Sequence, residues 1–203
     1  MSVKFEVTLK ELRKEGACFG GYNKVVRLLQ GAPFSLEDGE RESYIRFAHK
    51  DQISLLSILE SNGLDDALWA LRCVPGVDRD ARLFAVWCAR QVQYLMGDAR
   101  LVNALDVAER FADGAATSEE LDAARSDARS AAWSDARSAA WSDARSAAWS
   151  AARSAAWRAA QDAAQDAARS AARSAAQDAA RSAQKEMFIL MCNGKAPWQK
   201  GAA

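Results

Sequence analysis

SDARSAAWSDARSAAWSDARSAAW, Ser126 to Trp149, is one octad written three times. Tryptophan is its only large apolar residue, so the stretch does not read as part of an ordinary core. The octad is itself two tetrads, and the true period is four. From Ala123 to Ser182 the chain divides into 15 tetrads of the types AARS, DARS, AAWS, AAWR and AAQD, with alanine always second. Alanine supplies 27 of these 60 residues, and as the strongest helix former it makes helix the expected state. Neither glycine nor proline occurs between Ala115 and Asn193. The spacing therefore predicts one helix from Ser118 to about Cys192, roughly 110 Å long at about 1.5 Å per residue. A hairpin of two helices is the alternative, with no turn signal to support it.

Residues four apart are neighbours on a helix surface. Each tetrad position thus forms a ridge that advances by about 40° per step. The third ridge carries Trp133, Arg137, Trp141, Arg145, Trp149, Arg153 and Trp157, so that each of these arginines lies between two indoles. That order permits cation–π stacking, worth about 0.5–1 kcal/mol per exposed contact. Asp127, Asp135 and Asp143 have only alanine and serine at i±3 and i±4. They sit on the opposite side of the helix and have no partner within it. A helix with an acidic ridge, an Arg/Trp ridge and an alanine ridge between them suits packing against another helix. A strict period of four departs too far from 3.6 for one ridge to follow a single straight partner. An assembly of several helices therefore fits better than a two-stranded coiled coil.

The conventional core must come from elsewhere, because no Leu, Ile, Val, Met or Phe lies between Leu121 and Met187. Alternating Val3, Phe5 and Val7 predict a short extended segment. Thr8 and Glu11 have capping-box spacing and open a helix that Gly16 ends. Further helices are expected over about 21–30, with Val25, Val26, Leu28 and Leu29 buried, and over 40–49, 51–61 and 65–73. Another follows Asp78, with Leu83, Val86, Trp87 and Tyr94 as its stripe, interrupted at Arg90 and Gln91. Gly97 closes that helix, and Asp98 opens one with Leu101, Leu105, Ala108 and Phe111 on one face. Thr117 and Glu120 form a second capping box at the start of the repeat. The expected architecture is all-α: an N-terminal helical bundle (1–114), the Ala/Arg/Trp/Asp tetrad-repeat helix (117–184) that mediates assembly, and a hydrophobic C-terminal tail (185–203). Phe188 and Trp198 of that tail are interaction residues, expected to pack on a head domain, with a free docking motif as the alternative.

Charge is uneven. Residues 1–121 hold 15 Lys/Arg and 19 Asp/Glu, a net of −4, and residues 122–203 hold 12 and 8, a net of +4. A chain neutral overall lacks the basic footprint of a typical nucleic-acid binder, and the asymmetry favours head-to-tail packing. Catalytic chemistry is sparse. His49 is the single histidine, and Cys18, Cys73, Cys88 and Cys192 are scattered without a CxxC, so a zinc site is not expected. No phosphate-loop or dinucleotide fingerprint is present. Cys18 precedes two glycines but has no base identifiable in the sequence. Asp65, Asp66, Asp78 and Asp80 read as helix caps. The expectation is a non-enzyme with neither cofactor nor metal. The N-terminus lacks the apolar stretch of a signal peptide and no run approaches a bilayer span, which predicts a cytoplasmic protein without membrane contact.

The combination of Gly16–Leu29 (GACFGGYNKVVRLL), Leu64–Cys73 (LDDALWALRC), Asp80–Val92 (DARLFAVWCARQV), Ala104–Leu121 (ALDVAERFADGAATSEEL) and Met187–Trp198 (MFILMCNGKAPW) with a tetrad tract resembles a group of small Ala-rich helical-repeat proteins of tailed enterobacterial phages. More loosely, it is similar to bacterial immunity proteins. The resemblance implies a phage accessory protein in the host bacterial cytoplasm, a counter-defence or host-takeover factor that binds and occludes a host protein, as a homo-oligomer joined through the repeat. A second expectation is a nucleotide or nucleic-acid binder using the Arg/Trp ladder, which the six aspartates of the tract weaken. A third is a structural filament or spacer.

Overall fold

A computed structural model of the chain describes residues 3–151 and 157–199, and the side chains of those outside 135–174. Among the described residues the protein is all-α, 69% helical, with nine α-helices and one two-stranded sheet. The chain divides into two compact units: Met1–Ala81 together with Met187–Ala203, and Arg82–Glu186.

In the first unit, β1 (Glu6–Val7) pairs antiparallel with β2 (Ile53–Ser54), Val7 opposite Ile53. The alternation read from the sequence buries Phe5 and Val7. α1 (Leu9–Lys14) begins at the expected capping box: Thr8 Oγ1 accepts from the Glu11 amide at 3.2 Å, and Glu11 Oε2 accepts from the Thr8 amide at 2.7 Å. α2 (Phe19–Gln30) buries Tyr22, Asn23, Val25 and Val26. Leu28, expected on the buried side, is exposed instead. It lies two residues past Val26, about 200° around the helix. α3 (Leu36–Glu40), α4 (Leu55–Asn62) and α5 (Leu64–Ala70) follow, with a 3-10 turn over Leu71–Cys73. Leu9, Val26, Leu55 and Ile58 are among the most deeply buried side chains.

The helix expected over 40–49 does not form: α3 ends at Glu40, and 41–50 are non-helical. The cause lies on α2. Asn23 is fully buried; its Nδ2 donates to the Ser43 carbonyl at 3.0 Å and its Oδ1 accepts from the Ile45 amide at 2.8 Å. The Tyr44 hydroxyl donates to the Ala17 carbonyl at 2.6 Å, and its ring meets Phe19 and Tyr22 edge-on. Backbone groups that a helix would pair internally thus find side-chain partners. The helix expected over 51–61 starts only at Leu55, because Ile53 and Ser54 belong to the sheet.

α3 is held to α2 by a fork. Arg27 Nη2 and Nε donate to Asp38 Oδ1 and Oδ2 at 2.7 and 2.9 Å, and the Ser35 amide donates to Oδ2 at 3.1 Å. The guanidinium first, and the Ser35 amide with it, hold the Asp38 carboxyl well below the usual carboxylate range. A carboxyl depressed by folding contributes stability above its unfolded pKa, and that contribution fades as pH falls toward the folded value. Asp38→Asn is therefore expected to be less stable than the parent chain at pH 7, with the gap narrowing below about pH 4. Urea melts over a pH series check this; a gap unchanged down to pH 2 would count against it.

α6 (Asp78–Arg90) buries Leu83, Phe84 and Val86. It ends at Arg90, so Tyr94, expected on its stripe, is 82% exposed within a 3-10 turn over Gln93–Leu95. Arg90 interrupts the apolar stripe for a reason: its Nη2 donates to Asp106 Oδ1 at 2.6 Å and Glu109 Oε2 at 2.8 Å on α7 (Ala99–Ala112). Two carboxylates one turn apart enclose one guanidinium, the charge-assisted geometry that fixes helix pairs. Asp98 caps α7, accepting from the Arg100 amide at 2.8 Å. The second capping box is present, with Thr117 and Glu120 bonded at 2.7 and 3.2 Å. It opens α8 (Ser118–Ala151), and α9 spans Trp157–Cys192. Residues 152–156 are outside the described residues, and with them the question of one continuous helix or a hairpin. Among the described residues, no helix is long and apolar enough to cross a membrane.

Candidate functional site

α7 and α8 form a helical hairpin through the short connection at Asp113–Thr117. The core of this pair is Val107, Leu121 and Ala124, with Ala104, Ala108, Phe111 and Ala116 packed around it. Along α8 the covered positions are Leu121, Ala124, Ala128 and Ala131. Their spacing of three, four and three residues keeps one face of a straight helix inward. The tetrad permits this because alanine fills two of its four positions: the buried stripe uses the second position at Ala124 and Ala128, then steps to the first at Ala131. Contact with α7 is made by Leu121 and the small side chain of Ala124.

The remaining ridges face outward here. Arg125, Asp127 and Arg129 are exposed, and Trp133 is 69% exposed. Asp122 and Arg125 pair at 3.6 Å one turn apart. Asp135, Arg137, Trp141, Asp143, Arg145, Trp149, Arg153 and Trp157 lie outside the residues with described side chains, so the expected ladder is visible only at its first indole.

Phe188 and Trp198 are used within the first unit. Phe188, Met191 and Ala196 are completely buried. Trp198 Nε1 and Gln199 Nε2 both donate to Asp80 Oδ1, at 2.9 and 3.0 Å, and Gln199 Nε2 also donates to the Met191 carbonyl at 3.1 Å. Asp80, read from the sequence as a cap, is instead a buried acceptor for two side chains more than a hundred residues away.

A cavity of about 330 Å³ opens beside the start of α2. Leu12, Ala17, Tyr22, Val25, Ile58 and Ala70 give it an apolar lining, while Cys18, Asn62, Asp65, Asp66 and Trp69 supply its polar and aromatic groups. Cys18 caps α2, its Sγ accepting from the Gly21 amide at 3.3 Å. Asn62 Nδ2 donates both to the Gly21 carbonyl and to Asp66 Oδ2, each at 2.8 Å. A Cβ on Gly21 would lie 2.9 Å from Asp66 Oδ2 and 3.1 Å from Cys18 Sγ. Glycine is unfavourable inside a helix by about 1 kcal/mol relative to alanine, and here it makes room for the carboxylate and the thiol. Cys18, Gly21 and Asp66 each stood out in the sequence, but nothing there brings them together.

Of the other thiols, Cys73 is buried and Cys88 and Cys192 are half-buried. Burial pushes Cys73 up to about 11 and Cys192 up to about 12, and it raises Cys88 as well. Among the described residues no group of three His, Cys, Asp or Glu side chains is placed to hold a metal. Comparison with protein-family models, with curated proteins and with solved structures yields no match for this chain.

Proposed function

We propose that the chain is a non-enzymatic binding protein that engages a macromolecular partner through the tetrad-repeat helix. In this reading it is an oligomeric phage accessory factor that occludes a host bacterial protein in the host cytoplasm. The observation that carries the proposal is the packing of α8. Leu121 and Ala124 pack in the core shared with α7 and Ala128 and Ala131 are covered, while Arg125, Arg129 and Trp133 of the third ridge stay exposed. The ridge with the costliest side chains is thus not what joins α8 to α7. Tryptophan and arginine are the side chains most enriched among the dominant residues of protein interfaces. The resemblance to small phage proteins supports the biological setting, and the opposite net charges of the two parts of the chain support assembly.

The test replaces Trp133, Trp141 and Trp149 by alanine and Arg137, Arg145 and Arg153 by glutamine in the full chain. Alanine raises helix propensity, so circular dichroism should keep its helical signal. Light scattering after size-exclusion chromatography is expected to show the parent chain as an oligomer and the variant as a monomer. Capture of a bacterial host protein should be lost with it. A parent chain that is monomeric at every concentration, with unchanged capture by the variant, would overturn the reading.

A further inference from the structure

We propose that the cavity beside the start of α2 is a binding site for a small organic cation: an ammonium or guanidinium carried on an apolar body. Its volume of about 330 Å³ falls within the ordinary range for small-ligand sites, about 300–1,000 Å³. Leu12, Tyr22, Val25 and Ile58 are each no more than 3% exposed and form an apolar floor. Among the described lining residues there is no lysine, arginine or histidine, whereas Asp65 and Asp66 both contribute. Asp66 is fixed by the Asn62 amide and by its close approach to Gly21. The indole of Trp69 also lines the cavity, and the Arg72 guanidinium already lies over this ring at 4.6 Å.

An apolar recess bounded by two carboxylates and an indole selects by charge. An anion would face Asp65 and Asp66 at close range. A neutral apolar ligand would fill the floor but leave those carboxylates against its other end. An organic cation suits both parts, with its apolar body on Tyr22 and Ile58 and its charged group beside the two carboxylates. This site lies in the first unit and is independent of the repeat.

Cys18 provides the readout, because it is exposed and lines the cavity, whereas Cys73 is buried and Cys88 and Cys192 are half-buried and lie outside the lining. Alkylation of Cys18 in the intact chain is followed by peptide mass spectrometry with phenethylamine, agmatine, and phenethyl alcohol as the neutral counterpart. Phenethylamine or agmatine is expected to slow Cys18 labelling at least fivefold and saturably, with the alcohol at least tenfold weaker. Asp66→Asn keeps the side-chain shape and should reduce the preference for the amines at least tenfold. Asp65→Asn, at an exposed position, should weaken it without touching the Asn62 contact. Equal slowing by alcohol and amines, or no saturable slowing by either amine, would overturn the proposal. Protection that instead grows with protein concentration in the absence of amine would also overturn it, in favour of an arginine from a second copy.

Discussion

Phe188→Ala is expected to cost about 3–5 kcal/mol, the usual range for emptying a fully buried aromatic site. A domain's whole stability is about 5–15 kcal/mol, so this one change should remove much of what holds the first unit. Phe188 is 0% exposed, with Met191 and Ala196 equally buried nearby in sequence. Urea denaturation reads the loss directly, and Cys73, buried in the same unit, should become open to alkylation at lower urea. A loss under about 1 kcal/mol would mean that the tail is an appendage to the core. Cutting the chain after Ala116 to isolate a head would also remove Phe188 and Met191 and disrupt the unit it was meant to preserve. Substitution within the tract leaves them in place.

Asn23→Ala should cost about 1–3 kcal/mol. The side chain satisfies the Ser43 carbonyl and the Ile45 amide; the Ile45 bond is buried, and a buried group left without a partner costs about that much. Asn23→Asp separates the two bonds. It keeps an acceptor for the Ile45 amide but sets a carboxylate oxygen against the Ser43 carbonyl, so it should be at least as damaging as alanine at neutral pH. Equilibrium unfolding measures both variants, and amide exchange at Ile45 should accelerate in the alanine variant before global unfolding. A cost below about 0.5 kcal/mol for both would show that something other than Asn23 keeps 41–50 out of a helix.

The Asn23 contact also marks where sequence reading stopped. Residues 40–49 have a composition compatible with helix, and only the partners that Ser43 and Ile45 meet on α2, and Tyr44 at Ala17 just before it, reverse that preference. Features set by neighbours three or four residues apart were legible: the capping boxes at Thr8 and Thr117, the Asp98 cap, and the helical state of the tetrads that lie within α8 and α9. The stripe on α6 was legible as far as Val86 and failed at Tyr94, where a 3-10 turn replaces the helix. In the sequence the cavity shows only as separate fragments. Gly20-Gly21 in the first turn of a helix was the available signal, since glycine there is retained against propensity. What Gly21 accommodates comes from α5, more than forty residues on.

By itself, then, the sequence determined the all-α class and the starts of several helices. Each of these follows from interactions along one local stretch of backbone. Only the tertiary structure decided which alanines face α7, that the C-terminal tail completes the core of the N-terminal unit, and that Cys18, Gly21 and Asp66 share one cavity. Burial and side-chain bonding between distant residues depend on which surfaces meet, and a fourfold repeat offers several nearly equivalent ridges. The choice among them is made by what each one packs against.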